Sequence, residues 1–430
     1  MTGPVPPARE SEAVRDHIMM CAIPMFIGNG LGATSIDAIA ARAKVSKKTI
    51  YKYFDDKVDL FRCAVGYGMR GGPKIYEPRD AEGQSPAEAI GNYVRWTYHS
   101  YVTPDRIGLY RASIETGSLA PDTAASIRDS FRDSLIWPAR YLGQLVRDGM
   151  VVCDDVPTAA SDLALMAVNG TAHLMGWPAL AAHHRPILAE WTSHFFLGGY
   201  KGLCALPSAR ARVPQPFLAG DDIFQPLVPE RSRPLAPERR DRLQKAAEIE
   251  FAAQGAGGAA IERIAAAAGI GKMTIYRHFA GKDDLFIATV DRLSRALYAD
   301  TAPLAVSTLA LADRLTAIGA RALANFVDGA SIDLYRLMIR EAPRFPDLAL
   351  TVFRRSENGT VRDIRACLSD VPECQAVSGE AIDYLALQFI TLLTNANKFL
   401  ALPIRPKAAE QSRMVARAVQ VFLNGYARFG

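Results

Sequence analysis

The sequence predicts an all-α protein built from two tandem units, each a head of three short helices followed by a larger helical domain. Two observations lead to this prediction. The stretch KKTIYKYFDDKVDLF at residues 47–61 returns as KMTIYRHFAGKDDLF at residues 272–286. Apolar residues recur at helical spacing in both halves, and no alternating strand pattern is found. With 430 residues, the chain is long enough for two to four domains.

The internal repeat extends over the whole chain. Residues 36–61 and 261–286 are identical at 14 of 26 positions, at an offset of 225. The recurring residues are Ile36, Ile39, Ala40, Ala41, Ala43, Lys47, Thr49, Ile50, Tyr51, Phe54, Lys57, Asp59, Leu60 and Phe61. Residues 107–122 match 332–347 in the same way, and FLGGY at 196–200 matches FLNGY at 422–426. The chain is therefore interpreted as two copies of a unit of about 200 residues.

A proline-rich segment separates the copies. Its prolines are Pro207, Pro214, Pro216, Pro226, Pro229 and Pro234. Because proline fixes φ and lacks an N–H, we expect a stiff, extended connector that could reach roughly 90 Å at ~3.1 Å per residue. The expected boundaries are 10–66 and 237–291 for the heads, 67–205 and 292–430 for the larger domains, and 206–236 for the linker.

The composition limits the classes of function. Hydrophobic content of 49%, charged content of 22% and a net charge of +5 are typical of a soluble, mildly basic protein. The six cysteines form no Cys-x-x-Cys pair and no zinc-ligand set, so we expect reduced thiols, no metal and no cofactor. Polar residues interrupt the apolar stretches near 161–182 and 381–404, and no apolar run opens the chain. We therefore expect a cytoplasmic protein with no membrane partner.

The first head is predicted to contain three helices. The first covers residues 12–26 and is stopped by GNGLGATS, with a kink expected at Pro24. Thr34 or Ser35 can cap the second helix, IDAIAARA, and Ser46 can cap the third, KKTIYKYF, after a short turn.

The third helix has one apolar face and one polar face. Ile50 and Phe54, four residues apart, point into the small core, which leaves the other face exposed. The residues on that exposed face are Lys47, Lys48, Tyr51 and Lys52. Two short helices joined by a tight turn, the second with exposed lysine, threonine and tyrosine, form a helix-turn-helix. Such a face predicts contact with double-stranded DNA; a solvated lysine-rich face without a partner is the alternative.

The residues predicted to contact DNA follow from these faces. In the first head they are Thr34, Ser35, Ser46, Lys47, Lys48, Thr49, Tyr51, Lys52, Tyr53 and Lys57. In the second head they are Lys272, Met273, Thr274, Tyr276, Arg277, His278 and Lys282. Lys57 stands at the start of the next helix, where free backbone N–H groups also favour a phosphate.

The repeated pattern G-x-x-x-[TS]-x-x-x-x-I-A-x-x-A-x-V-S-x-x-T-[IL]-Y-x-[YH]-F-x-x-K-x-x-L-F resembles the N-terminal domain of the TetR/AcrR family of transcriptional regulators. The first copy meets it with Gly30, Thr34, Ile39, Ala40, Ala43, Val45, Ser46, Thr49, Ile50, Tyr51, Tyr53, Phe54, Lys57, Leu60 and Phe61. The second copy meets it with Gly255, Ile264, Ala265, Ala268, Thr274, Ile275, Tyr276, His278, Phe279, Lys282, Leu285 and Phe286, and Ile270 replaces the valine. The resemblance implies that two such units must come together to read DNA. This chain resembles two TetR-like units fused.

The second head departs from the first in ways that weaken its predicted grip on DNA. Ala259 and Ala260 replace the Thr-Ser pair of the first head, which removes a helix cap and a phosphate donor, and Gly271 replaces a capping serine. Residues 36–62 carry seven basic and four acidic side chains, whereas 261–287 carry four and three. Because the phosphate term scales with the number of cations, the second head is expected to bind more weakly.

The larger halves resemble the ligand-binding and dimerisation regions of the family. Aromatic residues at helical spacing are more often core than ligand pocket, but the resemblance implies that some line a small apolar cavity. The residues chosen for it are Trp96, Tyr110, Trp137, Tyr141, His173, Tyr335, Phe353 and Phe389. Arg111 and Arg336 lie in matching LYR triplets, where an ion pair with Glu115 or Glu341 is expected and an anion site is the alternative.

The last two helices of each copy are expected near 157–180 and 185–204, and near 378–402 and 407–428. The resemblance implies that they form a four-helix interface, here between covalently joined partners. The leading hypothesis is a DNA-binding, ligand-released repressor that acts as an intramolecular pseudo-dimer on a double-stranded operator, with a small-molecule effector. The alternative is a ligand-binding or scaffold protein whose second head no longer touches DNA. An enzyme is disfavoured, because no catalytic constellation is found. Association of two chains stays open.

Overall fold

A computed structural model describes residues 8–71, 76–77, 83–119, 123–217, 223–227, 235–298, 302–304, 309–394, 398–401 and 405–426. These residues are mostly helical, and no β-strand occurs among them. The all-α prediction is therefore confirmed. No helix within the described ranges is both long enough and apolar enough to span a bilayer.

The helices repeat in the two units. The first unit contains α1 (Ala8–Ala33), α2 (Ile36–Ala43), α3 (Lys47–Tyr53), α4 (Lys57–Arg70), α5 (Pro86–Tyr101), α6 (Pro104–Leu119), α7 (Thr123–Arg147), α8 (Val156–Ala167) and α9 (Arg185–Cys204). The second contains α10 (Pro237–Gly258), α11 (Ile261–Ala268), α12 (Lys272–His278), α13 (Lys282–Tyr298), α14 (Leu311–Val327), α15 (Gly329–Glu341), α16 (Pro346–Ser369), α17 (Gly379–Thr394), α18 (Lys398–Ala401) and α19 (Ala408–Asn424). The helices α2, α3 and α4 each begin 225 residues before α11, α12 and α13.

The first helix of each head bends at a glycine. The backbone of α1 has φ 69° and ψ 176° at Gly30, and that of α10 has φ 66° and ψ 175° at Gly255. Both values lie where glycine alone is unstrained. The expected kink at Pro24 is not where α1 departs from helical geometry, and α1 continues to Ala33 instead of ending near residue 26.

Two predicted long helices near the unit ends are shorter in the structure. The stretch expected at 157–180 is helical only in α8, because Asn169 and Gly170 adopt φ of 52° and 55°, which a right-handed helix cannot contain. The stretch expected at 378–402 gives α17 and the short α18, and residues 395–397 lie outside the described part.

The same packing contact lies at the centre of both heads, although only the first head forms an apolar cluster separate from that of the larger domains. In the first head, Phe26 and Phe61 meet edge to face with ring centroids 4.9 Å apart, and Ile50 and Phe54 are buried as expected. In the second head, Phe251 and Phe286, at the equivalent positions, meet edge to face at 5.1 Å. The heads are thus repeated in packing as well as in sequence.

The two units pack together through α8 and α9 on one side and α17 and α19 on the other. Two glycines lie where α9 meets the end of α19: Gly199 has φ 59° and Gly425 has φ 63°. A Cβ atom at Gly199 would lie 2.6 Å from the carbonyl carbon of Leu423, and one at Gly425 would overlap the Leu197 carbonyl oxygen. The glycines of the repeated FLGGY and FLNGY motifs therefore allow the backbones of the two units to approach each other closely.

Polar contacts join the same helices. Asp162 on α8 forms a buried ion pair with Arg417 on α19 and accepts a hydrogen bond of 3.0 Å from Tyr426. The hydroxyls of Thr192 on α9 and Tyr384 on α17 lie 2.7 Å apart. These polar groups have their partners in the other unit. Separating the units would expose them to water or leave them without a hydrogen-bond partner.

The connector is packed against the second unit in its described part and does not stand free, which corrects its expected reach. Pro207–Arg210 form a 3₁₀ turn, and Ala209, Val213 and Phe217 are buried. Phe217 stacks on Phe353 of α16 with ring centroids 5.8 Å apart.

Two arginines of α16 hold the connector by its carbonyl groups. Arg354 Nε donates to the Pro216 carbonyl over 2.6 Å. Arg355 donates to the carbonyls of Ile223 and Gln225 over 2.6 and 3.1 Å. Proline-rich backbone has few N–H groups that could pair with its own carbonyl oxygens, so these acceptors need donors from elsewhere. A guanidinium group carries several N–H donors and can supply them.

Candidate nucleic-acid interface

Serine side chains fix the start of both helices of the first helix-turn-helix. Ser35 Oγ accepts from the Asp37 N–H over 3.1 Å and caps α2. Ser46 Oγ accepts from the Thr49 N–H over 3.0 Å and caps α3. The Thr49 hydroxyl lies 2.8 Å from Ser46 Oγ, so this side chain takes part in the cap. The predicted caps are confirmed. They fix where α2 and α3 begin, and one face of α3 lies at the solvent.

The exposed face of α3 carries cations and a phenol. Lys47, Lys48 and Lys52 are exposed, and Tyr51 retains 51% of its accessible surface although it is a large aromatic. The Lys52 ammonium lies 5.6 Å from the centre of the half-buried Tyr53 ring. This arrangement can meet both the charge of a phosphate backbone and the edge of a base.

One lysine of this face has an acidic neighbour. Lys47 Nζ lies 2.7 Å from the Asp37 carboxylate at the start of α2, and this hydrogen bond raises the pKa of Lys47. Both side chains are more than half exposed, so the pair contributes little to stability. Its effect is to hold the ammonium at the junction of α2 and α3.

Two residues predicted to contact DNA use their polar atoms inside the head. Thr34 is buried, and its hydroxyl donates to the carbonyls of Gly30 and Met25 over 2.7 and 3.1 Å. Lys57 Nζ donates to the carbonyls of Gly32 and Thr34 over 3.2 and 3.1 Å. Thr34 therefore has no hydroxyl donor left for a phosphate. Lys57 has used two of its three donors to satisfy carbonyls at the end of α1.

The second head repeats this geometry. Lys272 pairs with Glu262 on α11, at positions equivalent to Lys47 and Asp37. Lys282 Nζ donates to the carbonyls of Gly257 and Ala259 over 2.7 and 3.0 Å, as Lys57 does in the first head. The acidic partner was not among the predicted contacts, although the sequence carries an acidic residue at both 37 and 262.

The outer face of α12 is less cationic than that of α3. Tyr276 is 48% exposed, and Arg277 is exposed beside the half-buried His278. Met273 stands where the first head has Lys48, and it is 74% exposed. Thr274 is half-buried, and no side chain caps α12. The two faces therefore share a tyrosine but differ by one cation.

No side chain caps α11, but a glutamate of α10 binds the residue that precedes it. Ala260 cannot cap the helix, but its N–H donates to the Glu250 carboxylate of α10 over 3.1 Å. Arg263 donates to the same carboxylate over 2.8 Å, and this interaction lowers the pKa of Glu250. Glu250 thus joins α10 to the start of α11, while the first turn of α11 stays without the side-chain cap that α2 has.

The two heads touch where α1 and α10 end. A Cβ atom at Gly32 would lie 3.7 Å from the Gln254 carbonyl oxygen, and one at Gly257 would lie 3.4 Å from Ala33 Cβ. A cavity of about 750 Å³ lies there. Among its lining residues are Lys57, Glu115, Arg340, Glu341 and Arg344.

Acidic residues of the larger domains support these helix ends. Glu341 accepts a hydrogen bond of 2.9 Å from the Ala256 N–H. Burial raises the pKa of Glu115, and the charge of Arg340 and a hydrogen bond from the Leu31 N–H act in the opposite direction. The LYR arginines were expected to pair with a carboxylate such as Glu115 or Glu341; Arg336 does pair with a carboxylate, but it is that of Asp333, at 3.7 Å.

Both LYR arginines bind backbone carbonyls. Arg111 donates to Leu174 and His173 over 2.9 and 3.0 Å, and Arg336 donates to Leu400 over 2.9 Å. Burial lowers the pKa of Arg111 to about 10. In each unit, one arginine thus donates to carbonyl groups of the chain that follows the shortened helix, α8 or α17. The sequence did not indicate these contacts.

Three of the residues expected in a ligand pocket form an aromatic cluster. Trp137 stacks on Tyr141 with centroids 4.8 Å apart and on Tyr93 at 5.3 Å, and Tyr76 lies 5.3 Å from Trp96. These rings fill the space between α5 and α7 by contacting one another. The prediction that Trp96, Trp137 and Tyr141 meet a ligand stays a prediction.

The other first-unit candidates lie beside this cluster. Tyr110 is partly buried where the head core meets the core of the body. His173 Nδ1 lies 2.9 Å from the Trp177 carbonyl oxygen, and burial lowers the pKa of His173 to about 4. A neutral, internally bonded histidine is a structural group in this state.

The second-unit candidates do not come together. Tyr335 donates to the buried Glu357 over 2.7 Å, Phe353 packs on the connector, and Phe389 lies 5.3 Å from Phe422 at the contact between the units. None of the eight candidates lines the cavity beside Lys57 and Glu341, and none lines a second cavity beside Ile23 and Arg106.

Comparison with known proteins bears on these observations. Residues 18–64 and 243–289 both match the family described as bacterial regulatory proteins, tetR family, and the two ranges differ by the same offset of 225. Residues 313–428 match the AefR-like transcriptional repressor, C-terminal domain. The chain belongs to the TetR family. Its N-terminal unit is duplicated in tandem, and the family is one of regulators and not of enzymes.

The relatives of this TetR-family protein align with part of it. The HTH-type transcriptional regulator HbdR of Aromatoleum sp. (strain CIB) is 34% identical over 122 residues, which cover 27% of this chain and 51% of HbdR. The HTH-type transcriptional repressor SCO4008 of Streptomyces coelicolor is 39% identical over 58 residues, which cover 14% of this chain and 30% of that protein. The chain thus spans about half or less of the length of these relatives.

A solved structure is similar at the level of one unit. A crystal structure of a TetR-family transcriptional regulator from Mesorhizobium loti has 23% identity and a TM-score of 0.36. The match covers 45% of this chain and all of that one.

Proposed function

We propose that this TetR-family chain is a sequence-specific DNA-binding transcriptional repressor whose two units pair within one molecule, so that α3 and α12 enter successive major grooves of one operator. The observation that carries the proposal is the repeated exposed face: Tyr51 and Tyr276 are about half exposed at equivalent positions, each on a short helix that starts with an acid-paired lysine. Large aromatic side chains exposed next to cations suit a phosphate-lined groove.

The pairing of the units within one chain is supported by their contact surface. The buried ion pair of Asp162 with Arg417 and the crossing at Gly199 and Gly425 join α8 and α9 to α17 and α19. Two recognition helices need a separation of about 34 Å to read one face of the duplex. A covalent connector makes the pairing independent of protein concentration.

The two heads are proposed to read unlike half-sites. The first offers Lys48 and Lys52 on its outer face, and the second offers Met273 and Arg277. Since phosphate affinity scales with the number of cations, α3 should contribute more of the salt-dependent binding than α12. A footprint on the operator should therefore be asymmetric.

Operator binding by variants tests the proposal. The probe is duplex DNA from beside the chain's own coding region, and the readout is fluorescence anisotropy at several salt concentrations. Lys48→Ala should weaken binding and reduce the salt slope by about 1, as expected for one lost phosphate contact. Lys407→Ala, an exposed lysine at the start of α19, is the matched control and should leave both unchanged. Equal behaviour of the two variants would contradict the assignment of α3.

The same assay separates the two-head proposal from a scaffold with one working head. The double variant Tyr276→Ala with Arg277→Ala removes the main polar contacts of α12 without touching its core residue Ile275. A several-fold loss of affinity is expected. Unchanged affinity and salt slope would show that the second head does not bind the operator, and the scaffold alternative would then stand.

We also propose that a small molecule controls this binding. The support is the family and the half-buried aromatic cluster of Trp96, Trp137 and Tyr141, whose rings could separate to admit a flat apolar ligand. A ligand that prefers another separation of the heads would weaken operator binding by linkage. Candidate ligands that release the operator should also quench tryptophan fluorescence, and Trp137→Phe should reduce the quenching.

A further inference from the structure

Two thiols from different units lie in contact. Cys204 is the last residue of α9 in the first unit, and Cys374 closes a 3₁₀ turn between α16 and α17 of the second unit. Their Sγ atoms are 3.2 Å apart, although the residues are 170 positions apart in the chain. In the sequence they show no Cys-x-x-Cys spacing or other pairing signal.

The segments that carry these thiols are held together by their neighbours. Lys201 on α9 forms an ion pair of 3.2 Å with Glu373, the residue before Cys374. Cys204 is half-buried and Cys374 is 6% exposed, so a small oxidant can reach the pair from the side of Cys204. No other contact between two thiols occurs among the described residues, and the remaining cysteines are Cys21, Cys63, Cys153 and Cys367.

The two thiols are chemically unequal. The hydrogen bond from the Cys204 thiol lowers the pKa of Cys374, although burial and Glu373 act in the opposite direction. The same hydrogen bond and burial raise the pKa of Cys204. Cys374 is therefore the more readily ionised of the two thiols, and Cys204 lies where a resolving thiol would stand. A thiolate with an adjacent resolving thiol is the arrangement that hydroperoxides oxidise.

We propose that Cys204 and Cys374 are a reversible oxidation site, at which a hydroperoxide converts the pair to a disulfide that ties the two units together. Disulfides in reducing compartments are usually transient and redox-responsive, which fits a bond that forms only when the oxidant is present. The proposal concerns the units themselves and does not depend on DNA binding.

The chemistry balances in two steps. The Cys374 thiolate attacks one oxygen of the hydroperoxide; an S–O bond forms, the O–O bond breaks, and the departing alkoxide or hydroxide takes a proton from solvent. The product is a sulfenic acid on Cys374. The Cys204 sulfur then attacks the Cys374 sulfur, an S–S bond forms, and the S–O bond breaks. The leaving hydroxide takes the Cys204 proton and becomes water. Two thiols are oxidised, and one peroxide is reduced.

The experiment uses the full chain, reduced and then freed of reductant, with hydrogen peroxide as the probe. Thiols are counted in denaturant, and the number should fall from six to four, with the loss of two hydrogen atoms by mass spectrometry. Proteolysis without reduction should give one linked peptide pair that contains Cys204 and Cys374, and dithiothreitol should restore six thiols. Retention of six thiols, or linkage through other cysteines, would overturn the proposal.

Variants assign the roles. Cys204→Ser should leave a sulfenic acid on Cys374 that dimedone captures, whereas Cys374→Ser should give neither dimedone adduct nor disulfide. Cys367→Ser, which changes a buried thiol without a thiol partner, should still form the bond. Oxidised wild-type protein should melt several degrees above the reduced protein, because the cross-link closes a long loop. An equal melting temperature for both forms would show that the bond does not tie the units.

Discussion

The Arg355 guanidinium lies 2.9 Å from the Asp291 carboxylate, and their side chains are 0% and 3% exposed. Arg355 also donates to Ser294 Oγ over 2.8 Å and to two carbonyls of the connector. Asp291 and Ser294 belong to α13, the helix that joins the second head to its larger domain. One buried arginine therefore connects the head-bearing helix, the body and the connector between the units.

Removing Arg355 should destabilise the protein strongly. In Arg355→Ala, Asp291 loses its fully buried partner but keeps Arg295 at 2.9 Å. We therefore expect a loss at the lower end of the about 3–5 kcal/mol that breaking a buried ion pair typically costs. Arg344→Ala is the matched control, because Arg344 pairs with Asp283 at the surface, where a lost ion pair costs about 1 kcal/mol or less. Urea unfolding measures both. Limited proteolysis should also cut the connector faster in Arg355→Ala, and equal unfolding midpoints for the two variants would contradict this role.

The bends of the two heads should differ in their tolerance of a side chain. Gly30 and Gly255 share a positive φ, so alanine at either position is strained by about 1–2 kcal/mol. A Cβ atom at Gly255 would overlap Glu341 Oε1, whereas one at Gly30 stays 3.8 Å from Glu115 Oε2. We expect Gly255→Ala to lose about 1 kcal/mol more stability than Gly30→Ala, since it also disturbs the hydrogen bond that the Ala256 N–H donates to Glu341. Urea titrations of the two variants give the comparison, and a larger loss in Gly30→Ala would refute it.

A buried glutamate should make stability depend on pH. Burial raises the pKa of Glu357 from 4.5 to about 6, against the hydrogen bonds from Tyr335 and Ser356. Because the pKa is raised on folding, protonation of Glu357 favours the folded state. This contribution to stability is complete below pH 4.5 and is lost as the pH rises through about 6. Above pH 6 the buried charge then costs about 2 kcal/mol.

The variant Glu357→Gln tests this sign, because the amide keeps an acceptor for Tyr335 but carries no charge. The variant should be more stable than wild type at pH 7.5, and the difference should vanish or reverse near pH 4.5. Glu238→Gln, an exposed change at the start of α10, is the control for replacing a carboxylate by an amide at the surface. A difference that does not change with pH would contradict the assignment.

The second head should respond to a restored cation. Met273 is 74% exposed at the position equivalent to Lys48, so Met273→Lys adds a charge without disturbing packing. If α12 lies against phosphates, the salt dependence of operator binding should steepen by about 0.9. Met273→Gln is the uncharged control and should leave the slope unchanged. An unaltered slope in both would place α12 away from the duplex.

Local rules account for what the sequence predicted well. The caps by Ser35 and Ser46 and the inward positions of Ile50 and Phe54 follow from short-range spacing, and the structure confirms them. The repeat also predicted equivalent heads. Thr34 shows the limit of this reasoning: its side chain has the right chemistry for a phosphate, but the bend at Gly30 brings a carbonyl within reach of its hydroxyl.

Contacts between distant segments were beyond the sequence. Arg355 and its connector carbonyls are about 130 positions apart, and Cys204 and Cys374 are 170 apart, with no periodicity to link them. The acceptors of Arg111 and Arg336 are backbone groups, which every residue carries, so residue types could not reveal them. Such pairings are fixed by the tertiary fold.

The anchored connector has a consequence for how molecules meet. Arg354 and Arg355 bind the carbonyls of Pro216, Ile223 and Gln225, so these residues of the connector are held on the second unit. A connector held in this way favours pairing with the other unit of the same polypeptide over pairing with a unit of another molecule. Exchange of halves between molecules, a common hazard of duplicated proteins, should therefore be rare even at high concentration.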